Sequence, residues 1–335
     1  MDDPNLVDTA EAQHRHRSRG AWIGVAVGVA YGLFARLAFG LDALGNVFGV
    51  MTLTFLFVVP VAVGFITVYL RPGRPPGVGE SATIPLLAAL GTLAGAVVLA
   101  WEGLICVVVW LPAFLLLATV AGSVAGVLRR SSGRSRPLVL VSVALVPFVL
   151  APFEHGAPEP PRLHTLEDRI VIEADAATVW AQIREVAPIS EAELGPSFAY
   201  RIGFPRPVEA RLVGTGVGSV RHATFEGGVT FVERVTEWQP GRSLAFSIDA
   251  SAVPSATFDQ HVAVGGRYFD VLDGRYLIRP LGEGRVELTL VSTHRLSTRF
   301  NLYTRLWTDL FMRDIQQTIL GVVRARSERA AQAAA

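Results

Sequence analysis

Lysine is absent from this chain of 335 residues, and every one of its 30 basic side chains other than histidine is arginine. Beside abundant Ala, Gly and Val, that absence reads as the codon bias of a GC-rich genome and carries no mechanistic weight. Cysteine is nearly absent too. Cys106 stands alone in an apolar run, which excludes an internal disulfide and any cysteine-based zinc cluster, and a thiol there reads as a small packed side chain. The redox compartment stays open. Net charge is close to balance at +1, so it points to no acidic or basic partner, but it averages two unlike halves. Residues up to about Phe153 are written for lipid and those after about Thr165 for water.

Long apolar runs fill the first half. They cover 21–41, 47–70, 84–100, 104–128 and 137–153, and each reaches or approaches the about 20 residues that cross a hydrocarbon layer as a helix. The stretch 84–128 is too long for one crossing at about 1.5 Å per residue, and Trp101-Glu102-Gly103 is the place to fold it. Five spans are expected, the third and fifth on the short side.

Arginine alternates with these runs. Arg15, Arg17 and Arg19 precede the first, Arg71 and Arg74 follow the second, and Arg129, Arg130, Arg134 and Arg136 follow the fourth. The intervening loops at Asp42 and Glu102 hold none. Positive charge marks the cytoplasmic side. The expectation is an integral cell-membrane protein with 1–20 cytoplasmic, a spanning region over 21–153, and the carboxy-terminal half extracytoplasmic. An even number of spans would reverse the last point. A cleaved signal peptide does not fit, since further spans follow the first without a small-residue cleavage pattern.

Arg36 and Glu102 are the charges near the outer ends of spans. The preferred reading has Arg36 snorkelling to the headgroups and Glu102 in a wet turn; the alternative has them paired in the membrane. No inverted repeat and no series of Asp, Glu or His crosses the spans, so no transport pathway is indicated.

From Phe153 to Pro161 the chain reads FEHGAPEPP, a semi-rigid spacer within an expected linker over 154–164. Beyond it, RIVIE (169–173) reads as a strand, and Asp175 caps a helix whose Val179, Trp180, Ile183 and Val186 share a face. Ser190 and Glu193 have capping-box spacing for a second short helix. Strands are expected over 208–213, 219–225, 229–238, 243–249, 268–279 and 285–296. A long amphipathic helix over about 301–329 closes the chain, with Leu306, Leu310, Phe311, Ile315, Ile319 and Val322 as its buried stripe and an Ala-rich frayed tail beyond.

The pieces IEADAATVWAQIREVAPIS and GSVRHATFEGGVTFVERVTEWQPGRSLAF, with that final helix, resemble the START-like polyketide cyclase/dehydrase superfamily (SRPBCC) over roughly residues 165 to 328. The resemblance implies an α+β helix-grip domain over 165–330, in which a curved antiparallel sheet wraps the last helix around an apolar cavity. It also implies a lipid or other hydrophobic small molecule as partner, cyclase or dehydratase chemistry in a minority of members, and no cofactor.

Register decides which side chains face inward. A three-residue loop Glu226–Gly228 sets Phe225 opposite Val229, Ala223 opposite Phe231 and Arg221 opposite Glu233, on one face. A two-residue Gly-Gly turn would set Arg221 against Arg234 and break the apolar face, so the longer loop is preferred. Arg221 and Glu233 then form an ion pair on the inner wall, either fixing the sheet or holding a ligand's polar head. His294 extends the inward face Val286-Leu288-Leu290-Ser292 and is a wall residue or a general base. Tyr268, Asp270 and Tyr276 alternate on one face of the neighbouring strand. Phe231, Phe246, Tyr276, Trp307 and Phe311 complete the lining that the resemblance implies.

His222 and His261 have no partner at metal-ligand spacing, so no metal is expected. Gly214, Gly216 and Gly218 read as a bend, because no helix follows as a nucleotide loop requires. No basic stripe with aromatics indicates nucleic acid. Three readings remain: a non-catalytic binding domain for a hydrophobic molecule at the membrane, a cyclase-like enzyme with His294 as base and Arg221 as oxyanion stabiliser, or a sensor touching a membrane-protein partner through an exposed apolar patch.

Overall fold

The computed structural model describes residues 4–45, 48–132, 137–154, 161–251, 253 and 264–334. His261, Arg134, Arg136, residues 155–160 of the linker and the side chains of Arg15 and Arg17 lie outside the described residues. The chain divides into two compact units, Met1–Pro158 and Glu159–Ala335.

The first unit is helical: α1 (Pro4–Gly40), α2 (Val59–Tyr69, entered through a π-helical turn Thr54–Val58), α3 (Val78–Val98), α4 (Leu104–Ser132) and α5 (Pro137–Glu154). Four helices are long and apolar enough to cross a membrane, with spans Ser18–Gly40, Val78–Val98, Leu104–Ser131 and Pro137–Glu154. The short member is the second run, not the third. Its helix covers only Thr54–Tyr69, about 24 Å at about 1.5 Å per residue, whereas α3 starts six residues before Ile84 and carries Pro85 in its interior.

Glycines spaced four apart on α1 let its neighbours approach the helix backbone closely. A Cβ built at Gly24 would lie 2.5 Å from the Thr67 carbonyl oxygen, and one at Gly28 would lie 1.9 Å from Thr67 Oγ1. At Gly32 it would meet Thr92 Oγ1 at 2.6 Å. Charges at the helix ends are held internally. Arg71 pairs with Glu80 at 2.9 Å, Arg129 donates to the carbonyls of Val68, Arg71 and Gly73, and Arg130 donates to that of Pro76. At the opposite ends, Arg36 is buried, pairs with Glu102 and donates to the Trp101 carbonyl. The snorkelling reading of Arg36 is therefore replaced by the ion pair.

The second unit is a seven-stranded antiparallel sheet in the order β1-β7-β6-β5-β4-β3-β2. Its strands are β1 (Arg162–Ile172), β2 (Pro207–Val213), β3 (Val220–Phe225), β4 (Thr230–Gln239), β5 (Ser243–Asp249), β6 (Phe269–Gly282) and β7 (Arg285–Leu296). Helices α6 (Ala176–Arg184) and α7 (Phe198–Arg201), with a 3-10 turn at Glu191–Glu193, connect β1 to β2. The long α8 (Asn301–Ala334) packs on β1, β7, α6 and α7. This is the helix-grip arrangement.

Local signals hold where expected. Asp175 accepts from the Thr178 amide at 2.7 Å, and Ser190 and Glu193 form their capping box around a single 3-10 turn. Gly214, Gly216 and Gly218 all take positive φ in the bend between β2 and β3. Two boundaries and one buried stripe differ. β1 begins at Arg162, seven residues before RIVIE, and so before the expected domain start at 165. The Ala-rich tail continues α8 to Ala334. The buried residues of α8 are Phe311, Gln316, Leu320, Val322, Val323 and Ser327, so Phe311 and Val322 are covered as expected while Leu306 and Leu310 are exposed.

Candidate functional site on the inner face of the sheet

The hairpin between β3 and β4 has the three-residue loop Glu226–Gly228, with Gly227 and Gly228 at φ of 71° and 78°. Glycine lacks the Cβ that makes this region costly. Phe225 N donates to Val229 O at 2.7 Å, and Arg221 faces Glu233 and Ala223 faces Phe231, as the sequence reading required.

Both Arg221 and Glu233 are buried, with Nε and Oε2 3.0 Å apart. The N–H is not aligned on that oxygen, so this contact is coulombic rather than a formed hydrogen bond. Nη1 of Arg221 donates to the Ile183 carbonyl at 3.2 Å. The guanidinium carbon lies 4.9 Å from the Phe246 ring centroid and 6.0 Å from that of Tyr276. Burial pushes the Glu233 carboxyl up from its ordinary range against the opposing pull of Arg221, and it raises the Tyr276 hydroxyl as well. Around this pair the interior is apolar: Trp180, Ile183, Val235, Leu244, Phe246, Ile278, Leu288 and Leu320 pack as one cluster.

A second polar locus lies along β1, β7 and α8. His294 is fully buried and faces its cross-strand partner His164, the ring centroids 5.7 Å apart. Among the described residues neither nitrogen of His294 has a hydrogen-bond partner, nor does Nε2 of His164. Burial lowers the proton affinity of both rings, and each further lowers through nearby cationic groups: His164 acts on His294, and Arg305 on His164. Next along the same face, Ser292 accepts from Gln316 Nε2 at 2.7 Å while Gln316 Oε1 stays unpartnered. Asp168 follows, its Oδ1 reached by Arg313 at 3.4 Å and by Gln317 at 3.5 Å, its Oδ2 unpartnered. Burial raises the Asp168 carboxyl, with Arg313 opposing.

The expected lining residues thus divide into separate groups. Arg221, Glu233, Phe246 and Tyr276 come together. Phe231 belongs with Phe225, 5.4 Å away, at the hairpin end of the sheet. Trp307 and Phe311, 5.7 Å apart, join Phe198 and Phe204. His294 sits with His164. The expected alternation of Tyr268, Asp270 and Tyr276 fails, because a bulge between Val271 and Asp273 resets the register. Asp270 pairs with Arg295 on one face, while Tyr276 pairs with Leu290 on the other. Sequence reasoning misses His164 and Asp168 because it starts the strand at 169, though the alternation His164, Leu166, Asp168, Ile170, Ile172 is an available signal; Gln316, a polar residue on the covered side of α8, leaves no such signal. Among the described residues no three His, Cys, Asp or Glu side chains gather as metal ligands.

No protein-family model matches the chain, and no curated protein matches it. Solved structures do. The ZhuI aromatase/cyclase from Streptomyces sp. R1128 is 17% identical, covering 51% of this chain and 98% of that one, at a TM-score of 0.33. A point mutant of norcoclaurine synthase from Thalictrum flavum with a transition-state analogue is 10% identical over 51% and 98%, at 0.33. Ara h 8.0201 is 11% identical over 51% and 99%, at 0.32. Likenesses of this size say nothing of what the site holds, which is read here from its own side chains.

Proposed function

We propose that the second unit binds an amphipathic hydrophobic small molecule between sheet and α8, in a protein set in a membrane by its first unit. One observation carries the reading. Five buried polar atoms without partners among the described residues, His164 Nε2, Asp168 Oδ2, both nitrogens of His294 and Gln316 Oε1, share one strip of the inner face. The strip runs about 13 Å along β1 at about 3.3 Å per residue. Buried polar atoms in folded proteins almost always have partners, and here hydroxyl, carbonyl or carboxyl groups of a ligand, or water carried with it, complete them. The apolar cluster beyond takes the hydrocarbon part. Arg221 and Glu233 serve each other and hold the sheet.

Membrane placement is supported by the four long apolar helices and by arginine at alternate helix ends. With the short helix Thr54–Tyr69 counted as a fifth crossing, as the alternation of arginine between successive loops requires, positive charge on the cytoplasmic side supports a cytoplasmic amino terminus and an extracytoplasmic second unit.

Native mass spectrometry of the full chain released from detergent, with lipid extraction, tests the binding. The expected result is one defined co-purifying molecule, lost in His294→Phe and retained in Glu283→Gln on the exposed β6–β7 hairpin. A chain that carries nothing, and takes up no solvatochromic hydrophobic probe, overturns the proposal.

A further inference from the structure

We propose that the first turns of α8 form a face that docks on the lipid surface. Leu302, Leu306 and Leu310 are 81%, 65% and 47% exposed. Spaced four apart, they form one stripe along the helix. Tyr303 and Trp307 flank it, half-buried, and rings of that kind favour the boundary between water and lipid. Phe198, 39% exposed, continues the apolar surface beside Phe311. Arg305 within the stripe is paired with Asp309 at 3.3 Å, so no uncompensated charge interrupts it. Soluble surfaces rarely expose so continuous an apolar strip.

The covalent chain argues for lipid as the occupant. Seven residues, 155–161, separate the end of α5 at Glu154 from the start of β1 at Arg162. Fully extended at about 3.6 Å per residue, that tether reaches about 29 Å at most. Arg162 pairs with Leu296, and only four residues separate Leu296 from the start of α8 at Asn301. The leucine stripe therefore begins at the tethered end of the second unit. This inference rests on the reading that the first unit spans a membrane. It goes further by assigning the stripe to the bilayer.

The test uses the full chain with Cys106→Ala, in nanodiscs of phosphatidylcholine and phosphatidylglycerol. Single nitroxide labels go on Leu302→Cys, Leu306→Cys, Leu116→Cys in α4 and Glu283→Cys on the β6–β7 hairpin. Power saturation compares access to oxygen, which partitions into lipid, with access to a water-soluble nickel chelate. Labels at 302 and 306 should favour oxygen, as at 116, while 283 favours the chelate. If 302 and 306 behave like 283, the face lies in water and the inference fails. If both reagents are excluded there, protein covers the stripe and it also fails. Chelate access at 116 would sink the spanning reading itself, which separates the two failures.

Discussion

Replacing Arg221 with methionine keeps much of the side-chain volume but strands the Glu233 carboxylate among Phe246, Tyr276 and the apolar cluster. Removing one partner of a buried ion pair costs about 3–5 kcal/mol, because the remaining charge keeps its desolvation penalty and loses its compensation. The Ile183 carbonyl also loses its donor. At about 1.4 kcal/mol per tenfold, amide protection across β3 and β4 should fall roughly a hundred- to several-thousand-fold. Hydrogen exchange of peptides spanning 220–239, measured on the full chain near neutral pH, reads this directly. The double variant Arg221→Met with Glu233→Leu should return close to the native value, since buried pairs replaced by apolar groups are often neutral or stabilising. Acid supplies an internal control. Burial already raises the Glu233 carboxyl, so the folded state keeps that proton to higher pH than the unfolded chain, and the associated stability is present below about 4.5 and lost as pH rises through the folded value. Without Arg221 the raised carboxyl moves higher still, so the penalty of Arg221→Met should grow as pH rises through the native folded value toward the higher one of the variant. A single-variant loss under about fivefold, or a double variant as unstable as the single, refutes the reasoning.

Two further outcomes follow from other sites. Burial holds the His294 imidazole below its ordinary value of 6.5, so the unfolded chain takes the proton first and stability is lost as pH falls through that value toward the folded one; exchange from peptides of β7 should show an acid-side loss that is smaller in His294→Phe. In the first unit, Gly28→Ala forces a Cβ onto Thr67 Oγ1 and should cost about 1–3 kcal/mol by overpacking, seen as a lower melting temperature in detergent, whereas Gly79→Ala, with open space around it, should leave melting unchanged.

Much of this molecule was legible in local pattern. Apolar runs longer than a soluble helix needs, alternation in β3 and β4, and a glycine pair that tolerates positive φ are properties of neighbours in sequence. They yield five helices, the strand set and the pairing of Arg221 with Glu233. Even the glycine repeat at 20, 24, 28 and 32 was in plain view, though its meaning depends on α2 and α3 lying against it.

What tertiary structure alone decided is which face of each element is covered, and by what. Leu306 and Leu310 fit a buried helical stripe by spacing, yet both are exposed, and the covered side of α8 runs through Gln316 and Ser327 instead. One inserted residue in β6 turned Asp270 away from Tyr276, which alternation cannot foresee because a bulge leaves little trace in composition. Arg36 and Glu102 are 66 residues apart and found each other only when α1 packed against α3, whose end leads into the turn that holds Glu102. The strip of His164, Asp168, Ser292, His294 and Gln316 joins three elements from distant parts of the chain. Periodicity is a short-range property and sets element type; burial and pairing are long-range, and they set the chemistry.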